Sequence, residues 1–224
     1  MSEGAGRWTC CWASRVGTPV TEQDWLACTD PAGVFDHLRG RASDRKLRLL
    51  ACACVRRLWP LVYDERGRQA VAAVEQFSDG DMTAEGLSLA RQAALKALAD
   101  SPESWPTARP LAEAVLALTD ADVMKAARAG VALLQLTHRH FFHEVFGNPF
   151  RPVAVDPAWL AWGGGAVRRL AQGIYEERAF DDLPVLADAL EEAGCDQPDL
   201  LAHLRGPGPH VRGCWAVDLL LGKG

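Results

Sequence analysis

Residues 44–62, DRKLRLLACACVRRLWPLV, decide the fold class. Leu47, Leu50, Ala51, Cys54, Leu58 and Leu61 recur at helical spacing and form one apolar face. Arg45, Arg48, Cys52 and Arg56 fall on another face. Asp44 is placed to cap the helix, and Pro60 should end or kink it. The same periodicity continues on both sides. Thr21 caps a short helix through Trp25, and Pro31 suits the first turn of a second one ending before Gly40. Further helices are expected over about 64–77, 83–99, 111–118, 120–146, 157–162, 167–177, 183–193, 198–204 and 211–221, with a GGG break at 163–165. Only RPVAV at 151–155 reads as a strand, and it has no evident partner. The expectation is an all-α protein of about nine or ten helices. They would be stacked as helical hairpins, solenoid-like or in an irregular bundle, in one domain over residues 20–224. The Pro-rich SPESWPTARP at 101–110 is the best internal boundary but is only loop-sized.

Residues 1–19 are Gly-rich and aperiodic, and are expected to be a mobile segment. Valine can be written by an alternative start codon, so these residues are expected to be an upstream extension of a chain that starts at Val20. The intact mass of natively expressed protein checks this, and a mass that includes residues 1–19 excludes it.

Composition narrows the class. Apolar residues make up 49% and charged residues 24% of 224, which suits a globular chain with a sizeable core. No run of 18 apolar residues is present, and the first residues lack the apolar core of a signal peptide, so a cytoplasmic, membrane-free protein is expected. Seven cysteines, an odd number in a mid-sized chain, suit reduced thiols or a metal site better than a disulfide framework. The net charge of −5 argues against bulk nucleic-acid binding, but the charge is uneven. Residues 39–57 hold seven bases and one acid, whereas residues 176–199 hold nine acids and one base. Opposed patches of this kind are solvated helix faces, or they pair within the molecule, between molecules or with a charged partner.

HLRG occurs twice, at 37–40 and 203–206, each time after a Cys and a Pro. A duplicated helical hairpin would explain this. YDER at 63–66 and YEER at 175–178 stand in the opposite order relative to it, so a simple tandem duplication fails. Arg-Gly at a helix C-terminus, favourable to the dipole and to a left-handed cap, is the simpler account.

Four groups of residues carry chemistry. Cys195, His203, His210 and Cys214 supply two thiols and two imidazoles within twenty residues, the donor types that zinc prefers, though without a CxxC knuckle. His140, His143 and Glu144 share a helix face in an order that is neither HExxH nor HxxEH. Cys52 lies between Arg48 and Arg56 at i±4, so an exposed thiol there would be a redox candidate. Arg45, Arg48, Arg56 and Arg57 would form a basic binding face, but helix-turn-helix and aromatic-interleaved patterns are missing, so nucleic acid is not the leading partner. GGG follows no strand and lacks a Lys-Ser/Thr, so it is no phosphate loop.

Five stretches, TEQDWLACTDP (21–31), ASDRKLRLLACACVRRLW (42–59), GNPFRPVAVDPAWLAW (147–162), IYEERAFDDLPVLADALEEAGC (174–195) and HVRGCWAVDLLLGK (210–223), resemble a bacterial protein family to which no activity is attached. The resemblance implies a start at Val20 and no catalytic residues. The leading expectation is a non-enzymatic protein-interaction or regulatory helical module with no cofactor. The alternatives are a zinc-containing module, structural or hydrolytic, on Cys195, His203, His210 and Cys214, and a nucleic-acid-associated protein using the basic face.

Overall fold

The computed structural model describes residues 20–28, 31–101, 107–133 and 138–223. The 1–19 segment and residues 102–106 of the SPESWPTARP connection therefore lie outside the described residues, and the last three residues of that connection already belong to a helix. Twelve α-helices and two 3₁₀ turns are present among the described residues, and no strand; RPVAV is irregular. The helices are α1 (Glu22–Ala27), α2 (Pro31–Leu38), α3 (Asp44–Arg57), α4 (Glu65–Asp79), α5 (Ala84–Ala99), α6 (Ala108–Leu118), α7 (Val123–Ala132), α8 (His138–Phe146), α9 (Pro157–Glu177), α10 (Leu183–Glu192), α11 (Pro198–Leu204) and α12 (Trp215–Leu221). None is long and apolar enough to cross a membrane.

The count exceeds the expected nine or ten; relative to the stretches read from the sequence, one is divided and two are joined in α9. The stretch 120–146, read as one helix, supplies both α7 and α8, with residues 134–137 outside the described set. Near 163–165 the expected break is present: Trp162 leaves helical geometry and the three glycines take positive φ.

α3 is the centre of the molecule. Ser43, not Asp44, caps it, its side chain accepting the Lys46 N–H at 3.3 Å. The helix ends at Arg57, and Pro60 falls in the 3₁₀ turn Trp59–Leu61. Residues 47–55 are all buried, including Arg48 and Cys52 on the face expected to be polar. A helix apolar nearly all round is an interior helix. α3 packs on α4, α6, α7 and α8, so its neighbours are not only the adjacent helices of a one-dimensional array. Its closest crossing is with α7. A Cβ placed on Gly130 would meet Ala51 Cα at 2.7 Å, so only glycine admits this approach.

Three apolar clusters follow from the arrangement. One joins α1, α2, α3, α7 and α8 around Trp25, Phe35 and Phe142. A second joins α3 to α4, α5 and α6 around Val71, Val74 and Leu118. The third is built from α9–α12 around Tyr175, Leu186 and Leu204.

A buried charge knot ties the third cluster to the rest. Asp79 ends α4 with a side chain fully shielded from solvent. It accepts hydrogen bonds from Arg45 Nε at 2.9 Å, Arg212 Nε at 2.7 Å and the Tyr175 hydroxyl at 2.8 Å. Asp218 of α12 accepts from Arg45 Nη1 at 2.7 Å and pairs with Lys46 Nζ at 2.6 Å. Residues of α3, α4, α9, α12 and the loop before α12 thus share two carboxylates. Burial alone would raise the Asp79 pKa; the Tyr175 hydroxyl and the Arg212 and Arg45 guanidiniums outweigh it and hold the carboxyl below its ordinary value.

Two outcomes are expected. Gly130→Ala should lower the unfolding free energy by about 1–3 kcal/mol in chemical denaturation, the usual cost of overpacking; an unchanged midpoint would mean that α3 and α7 can separate freely. Asp79→Asn should cost about 3 kcal/mol at pH 7, because it leaves buried cations unmatched. The native Asp79 carboxyl titrates below its unfolded value of about 4, so this stability is present above pH ~4 and lost as pH falls through the native pKa. The variant should accordingly show a shallower fall in stability between pH 5 and 3 than the parent, read from urea midpoints across that range.

Candidate metal centre

Four side chains from four elements of the chain converge beside the knot. Glu144 comes from α8, His203 from the end of α11, His210 from the following loop and Cys214 from the N-cap of α12. One donor atom of each lies within 4.8 Å of all the others. His203 Nε2 is 3.1 Å from Cys214 Sγ and 3.4 Å from Glu144 Oε2, and His210 Nδ1 is 3.2 Å from Glu144 Oε2. A tetrahedral ion with bonds of ~2.0–2.3 Å holds its donors ~3.3–3.8 Å apart, so small side-chain adjustments would seat one here.

Local chain chemistry explains the convergence. α8 turns Phe141, Phe142 and Val145 into the first cluster, which leaves Glu144 buried on its flank toward α11 and α12. The loop GPGPH brings His210 back over α8. Gly208 has φ +67, and a Cβ there would sit 2.9 Å from His210 N, so the position requires glycine. Lys46 straps the two remote donors together. Its ammonium donates to Val145 O and to Gly213 O, both at 2.9 Å, and these carbonyls adjoin Glu144 and Cys214 in the chain.

Neighbouring groups orient two of the donors, while burial and mutual contact set the protons that an ion would have to displace. The Val211 N–H donates to Glu144 Oε1 at 3.2 Å, and His210 Nε2 faces Gly206 O at 3.3 Å, the outer partner that leaves Nδ1 free to bind. Burial lowers His203 to about 4, overriding Glu144, so its imidazole is neutral at physiological pH. For His210 burial also acts downward, but the hydrogen bond and charge of Glu144 prevail and raise it. Burial would raise Glu144; the two histidines hold it below the ordinary range. Burial, with Glu144 alongside, pushes the Cys214 thiol well up, opposed by the backbone N–H groups of Val217 and Ala216 at the start of α12.

The expected donor set is corrected at one position. Cys195 does not join the group; it is buried in the third cluster, and Glu144 takes the fourth place. The sequence groups Glu144 with His140 and His143, but those three form no cluster among the described residues. His143 Nε2 lies 3.0 Å from the Trp25 carbonyl, and His140 Nε2 is buried without a hydrogen-bond partner among the described residues. The signal for Glu144 was a carboxylate set among the apolar residues of FFHEVF.

The other candidates are corrected as well. Cys52 is 1% exposed and its thiol is pushed far up, mainly by burial, so it is no exposed thiolate. The five described cysteines are free thiols. The basic stretch does not form one exposed face. Arg48 is buried and donates to the Leu118 and Asp120 carbonyls, Arg45 enters the knot, and Arg56 clamps Glu75 with two bonds of 2.6 Å. Arg57 alone of the four is exposed. Comparison with family models, with curated proteins and with solved structures finds no match.

Proposed function

We propose that this protein is a non-enzymatic helical binding module held together by a structural zinc ion on Glu144, His203, His210 and Cys214. One observation carries the reading: four donors of zinc-preferring type, from segments up to 70 residues apart in sequence, lie within 4.8 Å of one another. Zinc is the best match among divalent ions because two imidazoles, a thiolate and a carboxylate suit a borderline-soft tetrahedral ion and not Mg²⁺ or Ca²⁺. Four protein donors close the coordination shell, whereas a hydrolytic site keeps one position for water. That favours the structural role. The ion would join α8 to α11 and α12, and so the first cluster to the third.

Protein purified without chelator should carry about one zinc per chain by elemental analysis. Cys214→Ser and Glu144→Ala should lose most of it, while Cys195→Ser should retain it. Chelation should lower the melting temperature of the parent by several degrees and leave that of Cys214→Ser nearly unchanged. A metal-free parent, or metal lost with Cys195→Ser and kept with Glu144→Ala, would sink the assignment.

A further inference from the structure

A cleft of about 370 Å³ opens on the side of the His210 loop, between α3, the 3₁₀ turn at 59–61 and α9. Its floor is apolar and includes Ala53, Phe141 and Val211. Four arginines line it, Arg56, Arg57, Arg178 and Arg212, against one carboxylate, Glu75. That carboxylate is already shared: it accepts two hydrogen bonds from Arg56 and another from Arg178. Arg212 leans on Asp79 at 2.6 Å with the exposed Asp81 4.0 Å away, but Asp79 also serves Arg45 and Lys223. Arg57 makes no ion pair among the described residues. Positive charge is thus left over here in a chain whose net charge is −5.

The guanidiniums are also held in place. Arg56 lies 4.5 Å over the Trp59 ring and Arg212 4.8 Å over the Tyr175 ring, each fixed as well by its carboxylate. Planar donors fixed in advance lose little freedom on meeting an oxyanion, and their forks fit phosphate better than a lysine does. An apolar floor under a few convergent charged groups is the form of a small-molecule site, and the volume falls in the range of such sites.

We propose that this cleft binds a small phosphate monoester with an apolar or aromatic body, the phosphate seated among Arg56, Arg57, Arg178 and Arg212 and the body on Phe141 and Val211. The proposal goes beyond the zinc assignment: His210 borders the cleft, but the phosphate and its body are assigned to other side chains.

The test is calorimetric titration of the full chain with phenyl phosphate, inorganic phosphate and phenol. Phenyl phosphate should bind saturably at one site, inorganic phosphate more weakly and phenol not at all. Arg57→Glu should weaken phenyl phosphate about tenfold or more, since it replaces an attractive charge with a repulsive one, and Arg57→Lys should weaken it less. Arg168→Glu, an equal charge change at an exposed position of α9 outside the cleft, should leave the affinity unchanged. Melting temperature and zinc content of Arg57→Glu should match the parent, which separates failure of the cleft from failure of the metal assignment. The idea is overturned by no saturable binding, by equal losses in Arg57→Glu and Arg168→Glu, or by saturation with an oligonucleotide but not with phenyl phosphate.

Discussion

Two carboxylates shielded from water, Asp79 and Asp218, constrain the rest of the structure. An ion moved into the interior costs several kcal/mol unless a counter-ion with good geometry meets it. The counter-ions are Arg45 and Lys46, adjacent at the start of α3, Arg212 from the loop before α12, and Lys223 after it. Because Lys46 also holds the carbonyls next to Glu144 and Cys214, the position of the four metal donors depends on this pairing. A shift of α12 by a few tenths of an ångström would be felt at Asp218, at Lys46 and at Cys214 together.

Helix content was legible in the sequence, because it depends on local spacing. Thr21, Asp64 and Thr83 cap helices with their own side chains, as short-range chemistry dictates. What periodicity could not see was the second side of α3. ACACV between arginines reads as a helix with one apolar stripe. Arg48 is nonetheless interior, because the carbonyls at Leu118 and Asp120, some 70 positions away, satisfy it. The same blindness made the basic stretch look like a surface. Its counter-charges, Glu75, Asp79 and Asp218, lie 19 to 173 residues distant and carry no local signal.

The site was legible to the same degree. Three of its four donors sit within a dozen residues, near enough to stand out by residue type alone, and the fourth arrives from α8 by tertiary packing. Cys195 fails although it is close in sequence: it lies between α10 and α11 and turns into the third cluster. The HLRG echo resolves in similar terms. Both copies end a helix that opens with proline, but Gly40 takes φ +72 whereas Gly206 does not take positive φ. His37 stacks on Phe150 and His203 faces Glu144 and Cys214. The shared letters do not make a repeated site, and only the first copy ends in a left-handed glycine.

Charge accounting shows why such a group tolerates burial both with and without an ion. Without a metal, Glu144 is held ionised and His210 is raised toward its charged form, while His203 stays neutral and the Cys214 thiol keeps its proton. With His210 protonated, one anion would meet one cation and the buried group would be close to neutral. A divalent ion would take both histidines as neutral ligands, with Glu144 and Cys214 as anions, and the sum would again be zero. The ion would replace two protons, one from His210 and one from Cys214, without adding net charge to a region that water barely reaches. A second thiolate at Cys195 in place of Glu144 would balance a bound ion equally well. It would leave no acid to pair with His210 in its absence, so the carboxylate is the donor that serves the group in both conditions.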